Sequence, residues 1–509
     1  MSRVSLQRAG IVTAFTLFYL ATLTSDYYWD GITFALQIEK VARMERSPSV
    51  LFHQNHLFYN AVGYLPYSLT RAAGFLLRAL YLLQIGNALA AAVAVAVFFR
   101  MAEIVTRSRY AAIVSAAGLA FSAEWWKLAT DANAYVVSIL LILICAGTVL
   151  SSRPRWLLVG LTFAGAVLVH QLAALFYPAA LVAVFSNPSI EKKRPFAAKF
   201  TALAWGITGT AYALCAILLH SLNEPLAIMK WAVSNQSGVA LSASPLPGLK
   251  ALPRGTLDLI VGHSIALYRS QGGWIPRLLA LTTLILTGYL LIKVLRKGRL
   301  AQFLTGALRV SQRKNSAWKI AAPMLIVWIG AYLVFLLFWE PWQVIYRAFY
   351  VPPLALMFGV FLSNYHSASQ VLPTGASMLA VVTLALSNLT FFIAPNMQVT
   401  ANPTVAAART AHHLWNGQTV IYFADRNEAD TAFEYFNDQT EWRRFKATTQ
   451  IDMDDEIQRL SSQGGQVWLN KGAIDLVDVE WLARHASGRT ITIESPNAPA
   501  RYVELLPDQ

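Results

Sequence analysis

The chain has 509 residues, 56% hydrophobic and 13% charged, with a mean hydropathy of +0.45, values that exclude a purely water-soluble globule. The formal net charge of +14 is concentrated in alternate loops, the pattern of a membrane protein, and no basic surface is interleaved with aromatics, so nucleic acid is not an expected partner. Cys145 and Cys215 both fall inside apolar runs and read as buried thiols, not as a disulfide or metal framework.

Bilayer hydrocarbon about 30 Å thick takes roughly 20 apolar residues per helix. Such runs predict an α-helical polytopic membrane protein of about eleven spans, near residues 9–24, 80–99, 110–123, 134–151, 156–169, 171–186, 200–220, 274–293, 318–338, 346–363 and 376–395. Arg3 and Arg8 precede the first run and Thr24-Ser25-Asp26 offers no small-x-small cleavage site, so this segment is expected to stay as an anchor. With the amino terminus in the cytoplasm, the basic clusters all fall inside: Arg100, Arg107 and Arg109; Arg153 and Arg155; Lys192, Lys193, Arg194 and Lys199; and the series from Lys293 to Lys319. The carboxy-terminal region then lies outside, in the periplasm if the membrane is a bacterial inner membrane.

On the external side lies a long first loop, about residues 25–79. Within it Ile32, Ala35, Leu36, Ile38 and Val41 alternate with Gln37, Glu39, Lys40 and Arg43 as an amphipathic helix along the interface. The same side holds Glu124 to Lys127 with Asp131 and Asn133, then His170-Gln171, a loop of about 222–273, and Glu340-Pro341-Trp342-Gln343. Tyr64, Tyr67, Tyr81, Trp125, Trp126, Trp339 and Trp342 read as an interfacial aromatic belt. From about Asn396 charged residues become frequent, predicting a small soluble α/β domain over residues 396–509. Its strands are expected at 418–424, 465–469 and 490–493, with helices through Ala432, Phe433 and Phe436 and over 473–486.

Asp26 and Asp30 lie just past the first span, four residues apart. They share a face if that helix continues and project from a turn if it ends. A carboxylate there suits a general base or a divalent-metal ligand, and equally a solvated helix end. His53 and His56 have a spacing that a helical metal pair uses, but one common by chance. His170 interrupts two apolar runs, where an ionisable group is a functional candidate. At another rim Glu340 precedes Arg347, whose guanidinium can grip a lipid phosphate or merely snorkel.

Three short runs, Asp30-Gly31-Ile32-Thr33-Phe34, His56-Leu57-Phe58-Tyr59 and Gly63-Tyr64-Leu65, resemble the first external loop of the GT-C superfamily of polytopic glycosyltransferases. The likeness is to bacterial dolichol-phosphate-mannose-type and protein O-mannosyltransferase-like members, with His53 or His56 in the place of that subfamily's histidine. The segment from Phe121 to Tyr135 is similar to the family's second external turn, with Asn133 where an acid is expected and Asp131 nearby. The stretch from Gly165 to Pro178 resembles its helix pair around a polar histidine. The resemblance spans the layout of residues 1–395 and implies inverting transfer of a sugar from a polyprenyl-phosphate-linked donor to a glycan, lipid or protein acceptor on the external face. It implies Asp30, with Asp26 in reserve, as the catalytic carboxylate that deprotonates or orients the acceptor. Around the substrates it implies His53, His56, Asp131, Asn133, His170, Gln171, Glu340 and Arg347, with a divalent metal allowed but not required. A transporter or flippase is the alternative, although no paired repeat with broken spans is evident; a non-catalytic scaffold is a third.

Overall fold

The computed structural model describes residues 3–233, 242, 244–262, 278, 282, 285, 316–366, 371–415, 418–424, 427–437, 441–444, 450–493 and 500–507. Apart from three isolated positions, the span expected at 274–293 lies outside them, as do the basic residues from Lys293 to Lys314. The protein is a polytopic helical membrane protein with a small sheet at its carboxy-terminal end. Its apolar runs form α1 (Arg3–Leu20), α4 (Ala79–Thr106), α5 (Arg109–Ala120), α6 (Ala123–Thr130), α7 (Tyr135–Leu150), α8 (Trp156–Val169), α9 (Tyr177–Ser186) and α10 (Lys193–His220). Further on come α11 (Pro225–Val233), α12 (Leu246–Val261), α13 (Ser316–Phe338), α14 (Val351–His366) and α15 (Val371–Asn388). The first loop supplies α2 (Trp29–Ala42) and α3 (Tyr59–Ala72).

Among the described residues five helical segments are long and apolar enough to cross a bilayer, or six if α6 and α7, which meet at 113°, make one broken span. The expected number of about eleven is not confirmed on these criteria: α5, α8 and the segment Gln171–Ser186 are shorter apolar helices, α1 is not among those that pass, and the span expected at 274–293 lies outside the described residues. The helix α4 packs against α1, α2, α5 and α7. Its fully buried alanines, Ala88, Ala91, Ala92, Ala94 and Ala102, let those backbones approach closely, as small residues do inside membrane bundles. Two aromatics expected in the interfacial belt, Trp125 and Trp126, are instead in this core, and Trp126 donates to the Thr22 hydroxyl at 2.9 Å.

All five apolar positions expected on one face of α2 are buried. Glu39 on the same helix is buried too, because Arg78 Nε (2.9 Å), the Ala79 amide (2.9 Å) and the Tyr435 hydroxyl (2.8 Å) all donate to its carboxylate. Tyr435 belongs to the sheet domain. There β1 (Thr419–Phe423) pairs in parallel with β2 (Glu441–Arg444) and β3 (Gln466–Asn470), and β5 (Ala500–Leu505) pairs antiparallel with both β3 and β4 (Ala486–Ile493), in the order β2-β1-β3-β5-β4. The helices α16 (Pro403–Leu414) and α17 (Asn427–Phe436) cover the side facing α2. The helix expected over 473–486 is two short ones, Lys471–Ile474 and Val479–His485, since Asp478 caps the second by accepting from the Glu480 and Trp481 amides at 2.9 Å. Ala407, Ala408, Trp415, Phe433 and Tyr502 share one apolar core with Ile32, Ala35 and Ile38 of α2. The sheet domain and the first loop therefore lie on the same side of the membrane, which requires an even number of crossings between them.

Candidate active site

The helix α1 ends at Leu20, so Asp26 sits in the bend that follows and Asp30 in the first turn of α2. The two carboxylates project from different local structures. Asp26 is committed to Lys127, whose Nζ lies 2.8 Å away. Asp30 instead faces His56, with 3.8 Å between its Oδ2 and the imidazole Nε2. That gap is too long for a direct hydrogen bond, and such contacts tighten when substrate binds.

His53 and His56 do not share a helical face: they close a tight turn in which the His56 amide donates to the His53 carbonyl at 3.0 Å, and their rings stack at 6.0 Å. This turn delivers His56 against the ring of His170, edge to face at 4.6 Å. His170 ends α8, and its Nδ1 accepts from the Leu172 amide (3.1 Å), capping the 3₁₀ turn Gln171–Phe176. Two buried nitrogens have no hydrogen-bond partner among the described residues: His56 Nδ1 and His170 Nε2. Orphaned polar atoms of this kind call for an explanation. Tyr135 packs on His170 at 4.3 Å and is itself bordered by Tyr28, Tyr346 and Phe349. Three separated stretches of chain thus bring one carboxyl and two imidazoles into one largely buried cluster bordered by tyrosines.

Burial pushes the Asp30 carboxyl up to about 7, although 27% of the side chain stays exposed. Burial, then the neighbouring His170 and His53, hold His56 well below the usual imidazole range. Near neutral pH the facing groups are therefore a carboxyl poised between its two forms and a neutral imidazole, not an ion pair.

Asp131 and Asn133 lie beneath α2 as its frame. Asp131 accepts from the Tyr28 and Ala132 amides, each at 2.7 Å, and Asn133 caps α7 by accepting from the Tyr135 amide at 3.1 Å. Gly31 approaches Ala132 so closely that a Cβ would stand 2.4 Å from its carbonyl oxygen. Gln171 ties the histidine turn to α11, donating to the Ala232 carbonyl at 2.5 Å. Glu340, at a φ of +32°, lies beside Tyr346.

Arg347 sits on the 3₁₀ turn Ile345–Tyr350 and is fully buried. It donates to the Pro341 carbonyl (2.6 Å) and the Tyr350 hydroxyl (3.0 Å), while its Nε has no partner. It forms no ion pair among the described residues. Gly255 of α12 lies directly over it; a Cβ there would stand 2.3 Å from Nε. Among the described residues no group of three or more His, Cys, Asp or Glu side chains is arranged to hold a metal ion. The residues missed by sequence reasoning are Tyr28, Tyr346 and Phe349, whose aromatic character alone did not separate them from a membrane belt.

No protein-family model and no curated protein sequence matches the chain. Among solved structures, the chain is similar to ArnT from Cupriavidus metallidurans bound to undecaprenyl phosphate, with 13% identity, a TM-score of 0.57 and coverage of 97% of both chains. The apo state of the same protein aligns at 12% identity, with a TM-score of 0.57, over 99% of this chain and 98% of that one. The likeness is one of fold, and it extends over the sheet domain as well as the helices.

Proposed function

We propose that the protein is a membrane glycosyltransferase that moves a sugar from a polyprenyl-phosphate-linked donor to an acceptor at the external membrane face. Residues 1–395 carry the chemistry and residues 396–509 form the external domain. The observation that carries this reading is the convergence of Asp30, His56 and His170 in one cluster, with two buried imidazole nitrogens left without partners among the described residues. The fold neighbour that binds undecaprenyl phosphate supports the donor class.

In this reading Asp30 takes the proton of the acceptor hydroxyl, whose oxygen attacks the anomeric carbon. The bond from that carbon to the phosphate oxygen breaks on the opposite side, so configuration inverts and polyprenyl phosphate leaves. The neutral His56 and His170 offer their free nitrogens to sugar hydroxyls or the donor phosphate. Charge grows on the leaving phosphate in the transition state, and Arg347, a guanidinium with no carboxylate partner among the described residues, is the group that offsets it. Because α12 covers Arg347, the donor phosphate reaches it only when α12 yields. His53, Gln171 and Glu340 shape the surround, while Asp131 and Asn133 act through the frame of α2.

The test is transfer from a radiolabelled polyprenyl-phosphate sugar by the purified protein in sealed proteoliposomes, with mass spectrometry of the copurifying lipid. Release of polyprenyl phosphate with loss of the donor supports the reading. Movement of intact donor across the bilayer without its consumption refutes it in favour of a flippase.

A further inference from the structure

We infer that the external domain is a clamp on the helix that carries Asp30, with Arg409 and Tyr435 as positioning residues for the reaction. The inference rests on the glycosyltransferase reading, in which Asp30 is the base. On the side of the helical bundle α2 is held by close contacts with the α6–α7 break: the Tyr28 amide on the Asp131 carboxylate and Gly31 against the Ala132 carbonyl. The opposite side is held by the sheet domain, at both ends of the helix.

At the near end, three residues before Asp30, the Tyr27 hydroxyl accepts from Arg409 Nη2 at 2.6 Å. The same guanidinium lies 5.5 Å from the Tyr27 ring centroid and 4.6 Å from that of Phe436, and these two rings stack at 6.0 Å. At the far end, Tyr435 donates to the Glu39 carboxylate at 2.8 Å, accepts from the Leu80 amide at 3.2 Å and stacks its ring under Arg78 at 3.9 Å. Lys40 pairs with Glu434 beside it. Contacts between domains of one chain are commonly loose. Here the charged contacts flank a shared apolar core, and Glu39 is a buried carboxylate that loses a donor if the domain shifts. A helix of 14 residues, about 21 Å long, is thus fixed at both ends, with Asp30 between the fixed points. Misplacing a reacting group by about 1 Å can cost on the order of 10²-fold in rate, so a merely adequate dock would not suffice.

The test uses the full chain in nanodiscs, comparing Arg409→Ala, Arg409→Lys and Tyr435→Phe for kcat, donor KM and amide hydrogen exchange. Arg409→Ala is expected to lower kcat about tenfold or more while donor KM stays within about twofold, with faster exchange confined to residues 29–34. Arg409→Lys keeps a cation over both rings and should recover most of the loss. Tyr435→Phe keeps the ring under Arg78 but drops the hydroxyl, and is expected to reduce kcat without a change in donor KM. Full kcat per folded molecule with unchanged exchange over 29–34 in Arg409→Ala and Tyr435→Phe overturns the clamp, and Tyr435→Phe alone decides the matter if Arg409→Ala does not fold. An Asp30→Asn control separates the two ideas: if it retains turnover the catalytic reading fails, whereas an inactive control beside fully active clamp variants refutes the clamp alone.

Discussion

Replacing Asp30 by Asn should exchange activity for stability. The carboxyl is raised from 3.8 to about 7 because its ionised form is poorly solvated in the cluster. A group whose folded pKa lies above its unfolded value binds a proton on folding between those two values, so stability falls as pH rises through that window and levels off above it. Three units correspond to about 4 kcal/mol at most; with 27% of the side chain exposed, about 2 kcal/mol is the expected cost at pH 8 after discounting for solvent. Asn carries no charge and escapes this cost. Thermal unfolding in detergent should therefore show Asp30→Asn above the parent protein at pH 8, with less than half that advantage at pH 4.5. Turnover of the variant should fall by about 10²- to 10⁴-fold, and parent turnover should rise with pH through about 7 as the base ionises. Equal melting at both pH values, or turnover within about threefold of the parent, would refute the claim that a desolvated Asp30 is the base.

The frame beneath α2 gives further expectations. Asp131→Ala removes the acceptor of two backbone amides and should cost about 2 kcal/mol, seen as a lowered unfolding midpoint together with lost turnover. Gly31→Ala places a methyl against the Ala132 carbonyl and should cost about 1–3 kcal/mol, with reduced kcat and little change in donor KM. Arg347→Lys loses the planar fork that reaches both Pro341 and Tyr350. It should lower kcat by about 10²-fold while changing donor KM less, because the charge it meets grows mainly in the transition state.

Much of this was legible from local pattern. The face of α2, the strand at 419–423 and the helical runs follow from hydrophobic periodicity, which depends only on neighbours in sequence. Periodicity could not place Trp125 and Trp126, because an amphipathic ring suits a bilayer interface and a bundle interior equally well. Nor could it find β2 and β5: Glu441–Arg444 is mostly charged, and β5 is a strand only because β3 and β4 flank it. At the candidate site, residue types singled out Asp30 and His56, which the fold brings face to face, but a helical reading of their spacing fails for His53 and His56, which close a turn and share no helix face. Asp131 and Asn133 were visible as unusual polar residues. Their partners are amides brought in by tertiary contact, from Tyr28 and from the start of α7, and nothing local signals those.

The break between α6 and α7 bears on biogenesis. Its carbonyls at Thr130, Asp131 and Asn133 are met by amide side chains of α4, Gln84 and Asn87. Bare peptide groups are costly wherever water is excluded, and Thr130, Asp131 and Asn133 are fully buried, so the bend cannot settle without the two α4 side chains that meet it. Because α4 precedes α6 in the chain, these partners are synthesised first, and Gln84→Leu or Asn87→Leu would be expected to leave the bend's carbonyls bare and to lower the yield of folded protein.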